Sequence, residues 1–136
     1  MRPSEAELEI LQVLWEHQPC TVKDIHEHIS KQREVGYTTT LKQMQRMLDK
    51  NFLIREAGQG KSHIYRAVVS KDNTRDNLID RLADNAFGSS VAKLVMHALG
   101  KGETSKQEME EIRRLMDQLD KKQWYDDFWK LSNTGI

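Results

Sequence analysis

Between Tyr37 and Lys50 the chain carries five polar side chains at helical spacing: Thr39, Lys42, Gln43, Arg46 and Lys50. At about 100° per residue they fall on one side of a helix, and Leu41, Met44, Met47 and Leu48 fall on the other. The apolar side can anchor in a core. The polar side offers a hydroxyl, an amide and three cations, the groups that bond phosphate oxygens and base-pair edges. Arg46 suits a guanine edge or a phosphate, and Lys50, Lys61 and Arg66 suit phosphates.

Elements on both sides must hold this helix in place. Pro3 and Ser4 open a first helix, with Ser4 and Glu7 spaced as a capping box in which each side chain satisfies the other's backbone donor. Leu8, Ile10, Leu11, Leu14 and Trp15 form its apolar face, and Pro19 ends it. Thr21 and Asp24 repeat the box, and Val22, Ile25 and Ile29 mark a short second helix to about Ser30. The connector 31–36 is longer than the turn of a minimal helix-turn-helix. After the third helix the period changes. Segments 52–57 and 62–69 are rich in β-branched and aromatic residues, and Gly58-Gln-Gly-Lys61 links them at hairpin length. Three helices and a two-stranded ribbon make a winged helix-turn-helix, with Lys61 at the tip of the wing.

Charge is neutral in total and segregated in detail. Lys+Arg and Asp+Glu both number 21, with a pI near 7.0, which argues weakly against a nucleic-acid binder. Residues 1–30 hold two bases against six acids, a net −4, whereas residues 31–66 hold eight bases against three acids, a net +5. The positive charge lies where helix and hairpin would face a duplex. The competing interpretation is a solvated helix face beside a basic loop.

Residues 70–122 carry the periodicity of three more helices. Ser70 caps one bearing Leu78, Ile79, Leu82 and Ala83, and Phe87-Gly-Ser-Ser90 breaks it. Val91, Leu94, Val95, Ala98 and Leu99 mark the next, ended by Gly100-Lys-Gly102. Ser105 and Glu108 form a third capping box, followed by Met109, Ile112, Leu115, Met116 and Leu119. So short a segment makes a marginal core alone. The expected solution is a core shared with a second copy, for which Leu78, Leu82, Phe87, Val91, Leu94, Val95, Leu99, Met109, Ile112, Leu115, Met116 and Leu119 are the candidate residues. Packing of these stripes on the N-terminal domain within one chain is the alternative. The expected organisation is a winged-helix domain at 1–69, a three-helix dimerisation domain at 70–122 and an aromatic-rich extension at 123–136. Trp124, Tyr125, Phe128 and Trp129 form one stripe of that extension if it is helical, expected to cap the dimer core or, alternatively, to dock a partner.

Other chemistry is not supported. The five histidines, His17, His26, His28, His63 and His97, show no ligand spacing, and a zinc site needs three or four convergent ligands. No cofactor or metal is expected. The single cysteine, Cys20, cannot form an intrachain disulfide and fits a reducing cytoplasm. There is no signal peptide and no apolar run of the roughly 20 residues a spanning helix needs. No nucleophile–base pair or phosphate cradle can be assembled, so an enzyme is not expected.

Tyr37-Thr-Thr, Gln45-Arg46, Lys50-Asn-Phe-Leu-Ile-Arg55, Tyr65-Arg66 and Val69-Ser70 resemble the penicillinase-repressor family, the BlaI/MecI/CopY group. So do Ser4-Glu-Ala-Glu-Leu-Glu-Ile-Leu-Gln-Val-Leu-Trp15, Thr21-Val-Lys-Asp-Ile25 and Phe87-Gly88 before an apolar helix. The resemblance spans about residues 4–120. It implies a homodimeric winged-helix repressor that binds an operator dyad on double-stranded DNA. By position, it places recognition-helix contacts on Thr38, Thr39, Lys42 and Arg46, with Tyr65 and Arg66 supporting or extending the wing and counted with the expected DNA contacts. In that family release follows cleavage by a membrane-bound sensor protease, or copper binding to a cysteine cluster. This chain lacks the cluster, and His97-Ala98 stands where penicillinase-type members have the scissile Asn-Phe pair. The alternative to a repressor is a winged-helix module whose basic face docks an acidic protein.

Overall fold

The computed structural model describes residues 2–134, with side chains to Leu131. The expected segments 1–69 and 123–136 therefore begin and end in residues outside the described ones. Helix α1 (Glu5–His17) starts at Ser4, whose hydroxyl accepts from the Glu7 N–H at 3.2 Å while the Ser4 N–H donates to Glu7 Oε1 at 2.9 Å. Helix α2 (Val22–Ser30) starts with the same reciprocal pair between Thr21 and Asp24, at 3.1 and 3.0 Å. Helix α3 (Tyr37–Asp49) starts at Gly36 without a side-chain cap. Asn51, at φ 63°, turns the chain out of α3; asparagine is one of the few residues besides glycine that visits this left-handed region routinely.

The hairpin follows as β1 (Leu53–Ala57) and β2 (His63–Ala67), antiparallel in a register running from Leu53↔Ala67 to Ala57↔His63. Phe52, Ser62, Val68 and Val69 fall outside the strands, which are shorter than the sequence suggests, although the Val68 N–H still donates to Phe52 O at 2.8 Å. The Phe52 N–H instead donates to Met47 O at 2.9 Å, closing the end of α3.

The three helices and the hairpin enclose one core. Ile10, Leu11, Leu14, Ile25, Ile29, Met44, Met47, Phe52, Leu53 and Tyr65 are buried, each contributing about 1.5–3 kcal/mol of apolar burial. On α3 the buried residues are Thr40, Met44 and Met47, while Leu41 and Leu48 are half-buried at the flanks. Thr40 can be buried because its hydroxyl reaches Gly36 O and His26 Nδ1, both at 3.5 Å.

The chain divides into two compact units, Met1–Ile79 and Asp80–Ile136. The first takes in the beginning of α4 (Lys71–Ala86), which opens where the Asn73 N–H donates to Ser70 Oγ at 3.0 Å. In the second, Gly88 and Ser89 at φ 57° and 65° break the helix before α5 (Val91–Gly100), capped by Ser90. Helix α6 (Lys106–Thr134) starts at the Ser105–Glu108 capping box, with bonds of 3.1 and 3.0 Å.

Helix α6 runs without a break through residue 122, where a boundary was expected, since no glycine or proline interrupts it. That continuity alters the aromatic extension. At 100° per residue, Trp124, Tyr125, Phe128 and Trp129 lie roughly 175° around the helix from Met109, Ile112, Leu115, Met116 and Leu119. They face the opposite side and do not lengthen that stripe into a cap.

Candidate nucleic-acid interface

The buried Thr40–Met44–Met47 edge of α3 holds the opposite edge outward. Thr38, Thr39, Lys42 and Arg46 are exposed, and Gln43 is half-buried in a small recess with Thr39, Val35, Arg33 and Glu9. Arg33 fixes the approach to α3 by a forked pair with Glu9 of α1, at 2.7 and 3.1 Å. Among the described residues no ion pair involves Lys42, Arg46 or Lys61. Their charge is available to a ligand.

The hairpin is fastened at its root. Cys20 pairs with Tyr65 through two backbone bonds of 3.2 and 2.8 Å, adding a bridge beside β2. Gln18 Oε1 accepts from the Ala67 N–H at 2.9 Å, and the Trp15 indole donates to Val69 O at 3.1 Å. Lys61 consequently stands beside α3, lining a groove of about 360 Å³ with Tyr37, Leu41, Lys23, Ser62 and His63. Burial raises the Cys20 thiol pKa, with nearby Asp24 adding to the shift, which leaves the side chain an inert packing element.

Two expected contact residues are placed elsewhere. Lys50 sits at the C-terminal cap of α3 with its ammonium 3.0 and 3.2 Å from the Glu7 carboxylate and 5.8 Å from the Phe52 ring. Glu7 is 1% exposed, so Lys50 neutralises a buried charge and is not a free cation for phosphate. Desolvation pushes the Glu7 pKa up, but bonds from Ser4 and Lys50 outweigh it and hold the carboxyl below the ordinary 4.5. Tyr65 is 4% exposed; it supports the wing from inside. Arg66 is half-buried and pairs loosely with Glu56 across the hairpin at 3.6 Å.

Sequence reasoning passed over Lys23 and His63, which share the groove with Lys61, and Arg55, exposed on β1 in a shallow depression with Gln45 and Asp49. The +5 charge of residues 31–66 pointed to Arg55. Nothing local could place Lys23, which lies in the acidic first segment.

None of the twelve candidate dimerisation residues is buried within the chain. Leu78, Phe87, Leu94, Leu99, Met109 and Ile112 are half-buried, and Leu82, Val91, Val95, Leu115, Met116 and Leu119 are exposed. Helix α5 has no buried residue at all. Its His97 and Ala98 are exposed within the intact helix, with the His97 ring 5.6 Å from Phe87. The His17 and His28 rings stack at 4.3 Å, and among the described residues no three ligating side chains gather as a metal site.

The model of the penicillinase repressor family matches residues 3–118. The chain belongs to that family. BlaI, a transcriptional regulator of Mycobacterium tuberculosis, is 27% identical over 121 residues, covering 88% of this chain and 86% of that protein. The methicillin resistance regulatory protein MecI of Mammaliicoccus sciuri is 26% identical, covering 84% and 92%. The penicillinase repressor of Staphylococcus aureus is 21% identical, covering 88% and 94%. The solved structure of the transcriptional regulator SlyA aligns over 88% of this chain and 74% of that chain, with a TM-score of 0.41 and 16% identity. The penicillinase-repressor match takes in α1 to α5 and the first stripe of α6 to Met116. It stops short of the aromatic stripe.

Proposed function

We propose that this member of the penicillinase-repressor family is a DNA-binding transcriptional repressor acting as a homodimer on an operator dyad. The observation that carries this reading is the exposed edge of α3, where Lys42 and Arg46 stand without carboxylate partners beside Thr38, Thr39 and Gln43. Inserted in a major groove, that edge presents Arg46 to a guanine or a phosphate and the shorter polar residues to neighbouring bases. Lys61 and Arg66 of the wing, with Lys23 beside the groove, reach the phosphate backbone. Burial of the apolar faces of α4, α5 and α6 between two copies supplies two recognition helices, which read half-sites about 34 Å apart or a multiple of that. An inducing signal, such as cleavage by a membrane-bound sensor protease, relieves repression; the exposed His97-Ala98 bond on α5 differs from the family's Asn-Phe pair.

A gel-shift titration on the DNA upstream of the protein's own gene, beside a scrambled duplex, tests the reading. A discrete shift on the first duplex alone is expected, with specific binding about 10³-fold or more above non-specific. Arg46→Ala should weaken the specific complex by about 10–100-fold without changing the oligomeric state. Unchanged affinity removes Arg46 from the interface. If an acidic protein outcompetes DNA for the same face, the protein-docking alternative moves ahead.

A further inference from the structure

The last turns of α6 form a second amphipathic helix fused to the first. Met109, Ile112, Leu115, Met116 and Leu119 occupy one side of it, and beyond Asp120 that side is taken by Gln123, Asp126, Asp127 and Lys130. The apolar side moves to the opposite face, where Trp124, Tyr125, Phe128 and Trp129 are 66%, 63%, 54% and 59% exposed. The Trp124 and Phe128 rings stack at 5.5 Å, interplanar 13°, which joins two of the four rings in one surface. A seam that buries the first stripe leaves this one in water.

We propose that the aromatic stripe binds the same stripe of another copy, antiparallel, and joins two dimers into a tetramer. The spacing is self-complementary. Trp124-Tyr125-Asp126-Asp127-Phe128-Trp129 reads aromatic, aromatic, acid, acid, aromatic, aromatic in either direction. A two-fold axis between residues 126 and 127 therefore sets Trp124 of one copy against Trp129 of the other, and Tyr125 against Phe128, as an isologous contact requires. Aromatic side chains bury about 150–250 Å² each; with over half of each exposed, the four offer about 500 Å² per copy, or about 1,000 Å² for the pair. That reaches the threshold for a specific interface and matches the largest patches monomers carry. Residues 120–131 hold three Asp and three Lys, so two copies meet without net repulsion. The same neutrality disfavours an anionic lipid surface, which selects helices with a basic polar face. The count of four rests on the dimer proposed above; the aromatic pairing does not.

Sedimentation equilibrium of the full chain across the micromolar range, without DNA, tests the pairing. The wild-type protein should reach the mass of four copies. The Trp124→Ser/Phe128→Ser variant should stop at two, its tetramer association constant lowered by about 100-fold or more through lost ring burial. Trp129→Lys, which leaves the Trp124–Phe128 stack intact, should act in the same way, separating pairing from local folding. Leu115→Glu/Met116→Glu should also stop at two, because the aromatic seam still pairs. A wild-type mass of two copies that both aromatic variants leave unchanged overturns the proposal, as does a tetramer indifferent to both. A mass of two that they reduce to one would keep the aromatic pairing and remove the dimer proposed above. Co-sedimentation with phosphatidylserine vesicles by a protein that remains at two copies would assign the face to lipid instead.

Discussion

The two units bury their apolar residues differently. In the first, the stripes of α1, α2 and α3 converge with Phe52, Leu53 and Tyr65, and the core closes inside one chain. In the second, α5 buries nothing, and Leu115, Met116 and Leu119 of α6 are 54–56% exposed. Periodicity is equally clear in both. What differs is the geometry after each helix: a short connector and a hairpin fold back on α1 to α3, whereas α6 extends for 29 residues. A long helix cannot wrap its own stripe. Its hydrophobic face is therefore left open within the chain, while the closed unit is free to present cations.

The largest effect is expected from Leu115→Glu/Met116→Glu. In the first seam these carboxylates would be buried unpaired, so pairing through that seam should weaken by more than about 100-fold, read as dissociation constants by light scattering. The melting of the Met1–Ile79 unit should be unaffected by comparison. Loss of both together would mean that the two units share one core.

A smaller effect is expected at Lys50. Lys50→Met strands the Glu7 carboxylate, and since the lysine side chain is itself 35% exposed, the cost should fall below the full buried-pair range, at about 2 kcal/mol in urea denaturation. The salt dependence of operator binding should stay the same, whereas Lys42→Ala should lower its slope by about one counterion per subunit. A slope lowered by Lys50→Met would return that residue to the DNA.

The smallest effect is in acid. Folding lowers the Glu7 pKa, so its stabilisation is complete above its ordinary value of 4.5 and is lost as pH falls through the lower folded value. Glu7→Gln should flatten that limb of the stability profile, read by urea denaturation across the acid range. An unchanged limb would show that another carboxylate governs it.

The starts of α1, α2 and α6 were legible because a capping box spans only four residues and acts through local backbone bonds. The polar edge of α3 was legible because helical angle follows from residue number alone. Lys50 and Tyr65 were not. By type and position each belongs to the candidate interface, yet Glu7 lies 43 positions from Lys50 and holds it at the end of α3. Tyr65 is drawn inward by its bridge to Cys20. Sequence alone settled the succession of elements, the bipartite third helix and the separation of charge, since each depends on neighbours within a few turns. Tertiary structure decided which cations stay free, which glycine-linked strands form a wing, and on which side of α6 the aromatics emerge. Those outcomes depend on distant partners and on whether a helix continues, and no local period contains either.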